Sequence, residues 1–83
     1  MQALMYPIST EKAISMIERH NMIEYIVDFR STKTEIKKEF EALFKVKVRS
    51  VATAMMPQNK KKAYIKLASQ YKASDIALKL KLV

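Results

Sequence analysis

The stretch from Val46 to Leu67, VKVRSVATAMMPQNKKKAYIKL, leaves this chain the least freedom. It reads as a strand, a short turn and a second strand, with basic residues on both arms and at the tip. Successive side chains on a strand point to opposite sides. Lys47, Arg49, Val51 and Thr53 are therefore expected on one face of the first arm. On the second arm Lys62, Tyr64 and Lys66 share a face, and Ala63, Ile65 and Leu67 share the other. One face is apolar and fit for a core; the opposite one is cationic, with a tyrosine between lysines. Solubility alone also produces a charged outer face, so what separates the two accounts is how one-signed the charge is.

It is strongly one-signed. Sixteen Lys and Arg stand against eight Asp and Glu, a net charge of +8 at pH 7 on 83 residues. A field of that strength points to nucleic acid or an anionic membrane surface as partner. The length allows one small domain and not two independent cores, so residues 1–83 are read as a single domain. With 49% hydrophobic residues a core is possible and wholesale disorder is not expected. No run of ~18 apolar residues offers a membrane span, and no signal-peptide pattern opens the chain, so a soluble, cytoplasmic protein is expected. Zero cysteines exclude disulfides and thiolate metal sites. Zero glycines is unusual, because glycine is the common residue where φ is positive; Asn21 and Asn59 are the obvious substitutes.

Along the chain, Ala3 to Ile8 is either a short edge strand or a packed arm, since Pro7 stops a helix. Ser9 or Thr10 caps a helix over Glu11 to Arg19, with Ala13, Ile14 and Ile17 on one face and Asn21 as a left-handed stop. From Ile23 to Arg30 the pattern alternates, Ile23, Tyr25, Val27 and Phe29 against Glu24, Ile26, Asp28 and Arg30, and predicts a half-buried strand. Thr32 to Glu35 is a capping-box pattern. The helix after it carries an apolar stripe of Ile36, Phe40, Leu43 and Phe44, and Lys45 ends it. After the hairpin, Ser74 is expected to cap a last helix, with Ala73, Ile76, Ala77 and Leu80 as its apolar face. The fold class is α+β: a small antiparallel sheet of three or four strands with helices packed on it, in the order (β)-α-β-α-β-β-α.

Catalysis has little to work with. His20 is the only histidine, so neither a zinc site nor a Cys-His nucleophile can be assembled. Its plainer role is a cation at a helix C-terminus. Glu35 and Glu39 share a helix face, but lysines surround them, and a solvated, charge-laced face is the simpler account. Without glycine no phosphate-cradling glycine loop exists. The chain is read as no enzyme, with no metal and no cofactor. Lys60, Lys61 and Lys62 by themselves either solvate a turn or contact nucleic acid. Continued by Lys47, Arg49, Tyr64 and Lys66 along the strands, they form a surface able to neutralise a phosphate backbone. Tyr64 either stacks on a base or sugar or packs against lysine stems. No helix combines a wide apolar face with an all-basic one, which leaves membrane binding the weaker use of the charge.

The residues also carry a family resemblance. Pro7-Ile8-Ser9-Thr10-Glu11-Lys12-Ala13, then Lys33-x-x-Ile36-Lys37, then Leu43 to Val48 with Val51-Ala52-Thr53, then Lys61 to Leu67, then Ala73 to Ala77, resemble in order the signatures of the universal large-subunit ribosomal protein family twenty-three. The resemblance implies an antiparallel α+β domain that binds large-subunit ribosomal RNA at the rim of the polypeptide exit tunnel. It implies large-subunit ribosomal protein twenty-nine as a neighbour, and a surface where nascent-chain factors such as the signal recognition particle dock. By position, Thr10, Lys12, Lys33, Lys37, Lys47, Arg49, Thr53, Lys60, Lys61, Lys62, Tyr64 and Lys66 would contact RNA. Glu11 matches the glutamate that docks a factor in bacterial members, and is equally explained as a first-turn helix charge.

This sequence departs from the family at Ala52, where asparagine is usual, and in the short connection from Met56 to Lys60, where bacterial members carry a long RNA-penetrating loop. It resembles the compact archaeal type, without the basic N-terminal extension of eukaryotic members. A free-standing RNA-binding module and a protein-interaction adaptor are the other readings; the first asks for more exposed aromatics, the second for binding insensitive to salt.

Overall fold

A computed structural model describes residues 3–82. In chain order the elements are β1 (Leu4–Pro7), α1 (Glu11–His20), β2 (Met22–Asp28), α2 (Lys33–Phe44), β3 (Val48–Met56), β4 (Lys60–Leu67) and α3 (Ala73–Lys79). The strands form one antiparallel sheet in the order β1-β2-β4-β3. The segment around Pro7 is thus an edge strand, where a missing N–H costs no ladder bond. The expected α+β architecture and element order are those observed, with the strand number settled at four.

All three helices lie on one side of the sheet. Ile17 of α1, Ile36 and Phe40 of α2, and Ile76 and Ala77 of α3 join Ile23, Tyr25, Val27, Ala63, Ile65 and Leu67 in a single apolar cluster. Phe40 is its centre, fully buried, edge-on to Tyr25 at 6.3 Å between ring centroids and tilted against Phe44 at 4.6 Å. Two stripe positions expected in the core are outside it. Leu43 is exposed, because the stripe of α2 that faces the sheet is narrow and passes through Ile36, Phe40 and Phe44. Phe29 is exposed because β2 ends at Asp28 and the chain turns there, with the Ser31 N–H donating to the Asp28 carbonyl.

The helix ends follow local chemistry. Thr10 caps α1 through its hydroxyl, which accepts from the Ala13 N–H at 3.2 Å. Thr32 and Glu35 form the full capping box at the start of α2. Asn21 and Lys45 end α1 and α2 in the left-handed conformation, at φ 53° and 55°. Gln58, Asn59 and Lys81 are left-handed too, so a chain with no glycine bends at five non-glycine residues among those described. For side chains other than Asn or Asp each such residue costs about 1–2 kcal/mol.

The start of α3 differs from the sequence expectation. The helix begins at Ala73, and Lys72 at its N-cap position offers no side-chain acceptor. The Asn21 carboxamide supplies it instead, accepting the Ala73 N–H at 2.6 Å and donating to the Tyr71 carbonyl at 2.8 Å. Glu39 and Glu41 also have structural partners. Both oxygens of Glu39 accept backbone N–H groups of Ala3 and Leu4, and Glu41 accepts that of Val48. These carboxylates tie α2 to the two edge strands, which a solvated helix face would not do.

Candidate nucleic-acid interface

Side chains directly opposite one another on antiparallel strands share a face. On the side away from the helices, β4 presents Lys60, Lys62, Tyr64 and Lys66. β2 presents Met22, Glu24, Ile26 and Asp28 on that side, and β3 presents Ser50, Ala52, Ala54 and Met56. The result is a cationic ridge along β4 flanked on its β3 side by uncharged residues, small at Ser50, Ala52 and Ala54. Small neighbours let a sugar-phosphate chain approach the lysines without a steric wall.

The two arms do not share faces as the alternation predicted. Val48 pairs with Leu67, but Ser50, not Arg49, pairs with Lys66. Arg49 is therefore an extra residue, a β-bulge that reverses the parity of everything after it. Val51 and Thr53 pair with Ile65 and Ala63 and lie on the helix-bearing face. Thr53 thus stands on the opposite side from Lys62, Tyr64 and Lys66. A partial signal was present in the sequence: the β-branched apolar positions pass from even at Val46 and Val48 to odd at Val51, a break in period two that an inserted residue reconciles, although Ala52, Ala54 and Met56 blur it.

The basic residues divide by what they already hold. Lys62 Nζ is 3.4 Å from a Glu24 carboxylate oxygen and 5.7 Å from the centre of the Tyr64 ring. Glu24 is only 4% exposed and its second oxygen has no partner, so much of the Lys62 charge is spent within the sheet. Lys61 donates to the Ser31 carbonyl at 2.8 Å, which ties β4 to the segment ahead of α2. Lys60 reaches the Tyr6 hydroxyl at 3.5 Å. Lys47 and Arg49 are exposed and Lys66 is half-buried; these three have no acidic partner within ion-pair distance among the described residues.

The remaining candidates lie in the helix layer. Lys33 and Lys37 are exposed on the first two turns of α2, and the Lys61–Ser31 contact brings that helix start to the end of the sheet where β4 begins. Thr10, Glu11 and Lys12 are exposed at the start of α1. The Thr10 hydroxyl is occupied as a helix cap, and Glu11 sits in the first turn, where the helix dipole favours it. Sequence reasoning missed Glu24 as the buried counter-charge, because an isolated Glu in an alternating strand carries no sign of what lies diagonally across the sheet.

Among the described residues no cluster of three or more His, Cys, Asp or Glu is placed to hold a metal, and no helix is long and apolar enough to cross a membrane. Comparison with known proteins is consistent throughout. The chain is 47% identical over 78 residues to the large ribosomal subunit protein uL23 of Trypanosoma brucei brucei, covering 94% of this chain and 48% of that protein. It is 44% identical over 77 residues to the large ribosomal subunit protein uL23 of Methanothermobacter thermautotrophicus, covering 93% of this chain and 90% of that one. The chain thus spans about half the length of the trypanosome relative and nearly all of the archaeal one. The family profile described as ribosomal protein L23, a structural and non-enzymatic family, matches residues 2–81, and with these identities the chain belongs to that family.

Proposed function

We propose that this chain is a structural constituent of the large ribosomal subunit whose open sheet face and β3–β4 hairpin hold large-subunit ribosomal RNA. The observation that carries this is the helix-free face with Lys60, Lys62, Tyr64 and Lys66 along one central strand. The mechanism is neutralisation of phosphates where RNA helices crowd, with register set by hydroxyls and by Tyr64. Lys47, Arg49 and Lys66 carry the largest share within the hairpin, since they are the hairpin cations least engaged within the protein, and Lys12, Lys33 and Lys37 extend the contact around the helix layer. Both relatives bear the name of a large-subunit protein, which supports the assembly and a location on cytoplasmic ribosomes.

The finer placement belongs to the same proposal: a seat at the rim of the polypeptide exit tunnel beside large-subunit ribosomal protein twenty-nine, with Glu11 in a surface for nascent-chain factors such as the signal recognition particle. The exposure of Glu11 at the start of α1 supports its availability to a partner. Sucrose-gradient fractionation of a lysate, with and without RNase and high salt, tests the core of the reading. Co-migration with the large subunit that survives moderate salt is expected. Migration as a free small protein would overturn it and leave a free-standing RNA-binding module.

A further inference from the structure

At the β4-start end of the sheet a cavity of about 260 Å³ opens between the first turn after β2 and the tip of the hairpin. Met5 and Phe29 supply its apolar lining, Gln58 and Asn59 its carboxamides, and Arg30 and Lys60 its cations. Its aromatic residue is 41% exposed and Met5 is 59% exposed, a concentration of apolar surface that the core does not use. The Arg30 guanidinium lies 5.6 Å from the centre of the Phe29 ring and donates at 3.4 Å to the Asp28 carboxylate, which also accepts the Arg30 backbone N–H at 2.9 Å. That contact holds the Asp28 carboxyl below its ordinary value, so the one anion at the rim is already paired. Gln58 and Asn59 are both held at positive φ, which fixes the backbone that presents their amides.

These groups match one kind of occupant. A flat ring stacks on Phe29 and slides against Met5; a carboxamide recognises the hydrogen-bonding edge of a base; Arg30 and Lys60 meet the phosphates on either side. The volume is below the ~300–1,000 Å³ of drug-sized sites, and suits a single ring system rather than a peptide segment. The pocket is continuous with the cationic ridge through Lys60, which lines both. We propose that this cavity receives one unstacked nucleobase of the RNA that the ridge holds. The inference rests on the RNA-binding reading above and adds to it a site that contacts a base rather than the backbone.

The test compares the parent chain with Phe29→Ala and Phe29→Tyr for binding to large-subunit ribosomal RNA across a salt series. Circular dichroism checks the fold, which an exposed residue outside the core should not disturb. Phe29→Ala is expected to lose roughly 5- to 150-fold in affinity, the range for one base-stacking aromatic, with the salt slope unchanged. Phe29→Tyr, which keeps the ring, is expected to restore most of it. Equal affinity of Phe29→Ala and parent would overturn the pocket while leaving the RNA-binding reading intact. Loss of binding to a nascent-chain factor with RNA binding unchanged would also overturn it, in favour of a protein-docking pocket. Failure of the parent chain itself to bind the RNA would remove the reading on which the pocket depends, and the pocket with it.

Discussion

The side chain of Asn21, at the left-handed end of α1, accepts the backbone N–H of Ala73 at 2.6 Å and thereby caps a helix that begins 52 residues later. One residue thus stops α1 and starts α3, and its backbone carbonyl also accepts the Leu67 N–H at the end of β4. Asn21→Ala is expected to cost about 2–3 kcal/mol, from the loss of a residue tolerant of positive φ and of a cap together. Asn21→Gly, which keeps the backbone freedom and loses only the amide, is expected to cost about 1 kcal/mol. Urea unfolding of both variants separates the two contributions; equal losses would show that the left-handed backbone contributes nothing beyond the loss of the amide.

Glu39 holds β1 in the same long-range manner. Its two oxygens accept the Ala3 and Leu4 N–H groups at 2.8 and 2.7 Å. Glu39→Ala leaves both donors without partners and is expected to cost about 1.5–3 kcal/mol, the range for hydrogen bonds to a charged group. Amide exchange should accelerate at Ala3, Leu4 and Asp28, whose N–H bonds the Ala3 carbonyl, more than at Ile65 in the sheet centre. Uniform acceleration across the sheet would mean that the carboxylate stabilises the whole fold and not this edge.

What was legible in the sequence was what neighbouring residues decide. The capping box of Thr32 and Glu35, the stop at Asn21, the core face of β2 and the stripe of Ile36 and Phe40 are all encoded within a turn or a few strand positions. The half-buried reading of β2 fails, because Glu24 and Ile26 on its other face are buried as well. What was not legible depends on distant pairing. The bulge at Arg49 becomes definite only when Ser50 meets Lys66, and it decides on which face Thr53 lies. Glu39 reads as a solvated charge, and Glu41 carries no signal of its own, because their partners sit on the edge strands. The candidate interface was legible in kind, as basic residues on a strand, but not in rank. Lys62 and Lys66 are both diagonal to Glu24 across the sheet, and only the side-chain geometry shows that Lys62 is the one engaged.

Lys45 ends α2 at φ 55°, with its N–H bonded to the Glu41 carbonyl at 2.8 Å. Glycine reaches this conformation without the steric cost a lysine bears. Lys45→Gly is expected to stabilise the protein by about 0.5–1 kcal/mol, part of the relief being offset by the greater freedom of the unfolded chain. The corresponding rise in Tm is about 2–8 °C. A fall in Tm would indicate that the lysine side chain stabilises the helix end more than its backbone strains it.

Acid sensitivity follows from Glu35. Its carboxylate accepts the Thr32 N–H at 2.9 Å, and this bond together with the cap holds its carboxyl below the ordinary 4.5. A carboxyl lowered in the folded state stabilises the protein above its unfolded value, and that contribution is lost as the pH falls through the folded value. Stability should therefore decline in acid from about 4.5 downward, with Asp28, likewise lowered by Arg30, adding to the loss. Glu35→Gln should flatten this decline, measured by thermal unfolding from neutral pH into acid. An unchanged acid limb would place the titrating groups elsewhere.

Lys62 and Lys66 stand on the same face of β4, on either side of Tyr64, yet only Lys62 has an acidic partner. Removing it by Lys62→Ala strands Glu24, which is 4% exposed and already has one oxygen without a partner. The expected cost is about 2–4 kcal/mol, somewhat under that of a fully buried pair because the lysine side chain still reaches solvent. The double variant Lys62→Met with Glu24→Leu, which removes both charges, should recover most of that stability. Lys66→Ala should leave stability nearly unchanged and instead weaken binding to large-subunit RNA, lowering the salt slope by roughly 0.7–0.9 because one phosphate is no longer neutralised. If the two single variants lose RNA affinity equally at equal stability, Glu24 does not restrain Lys62, and the ridge binds with every lysine alike.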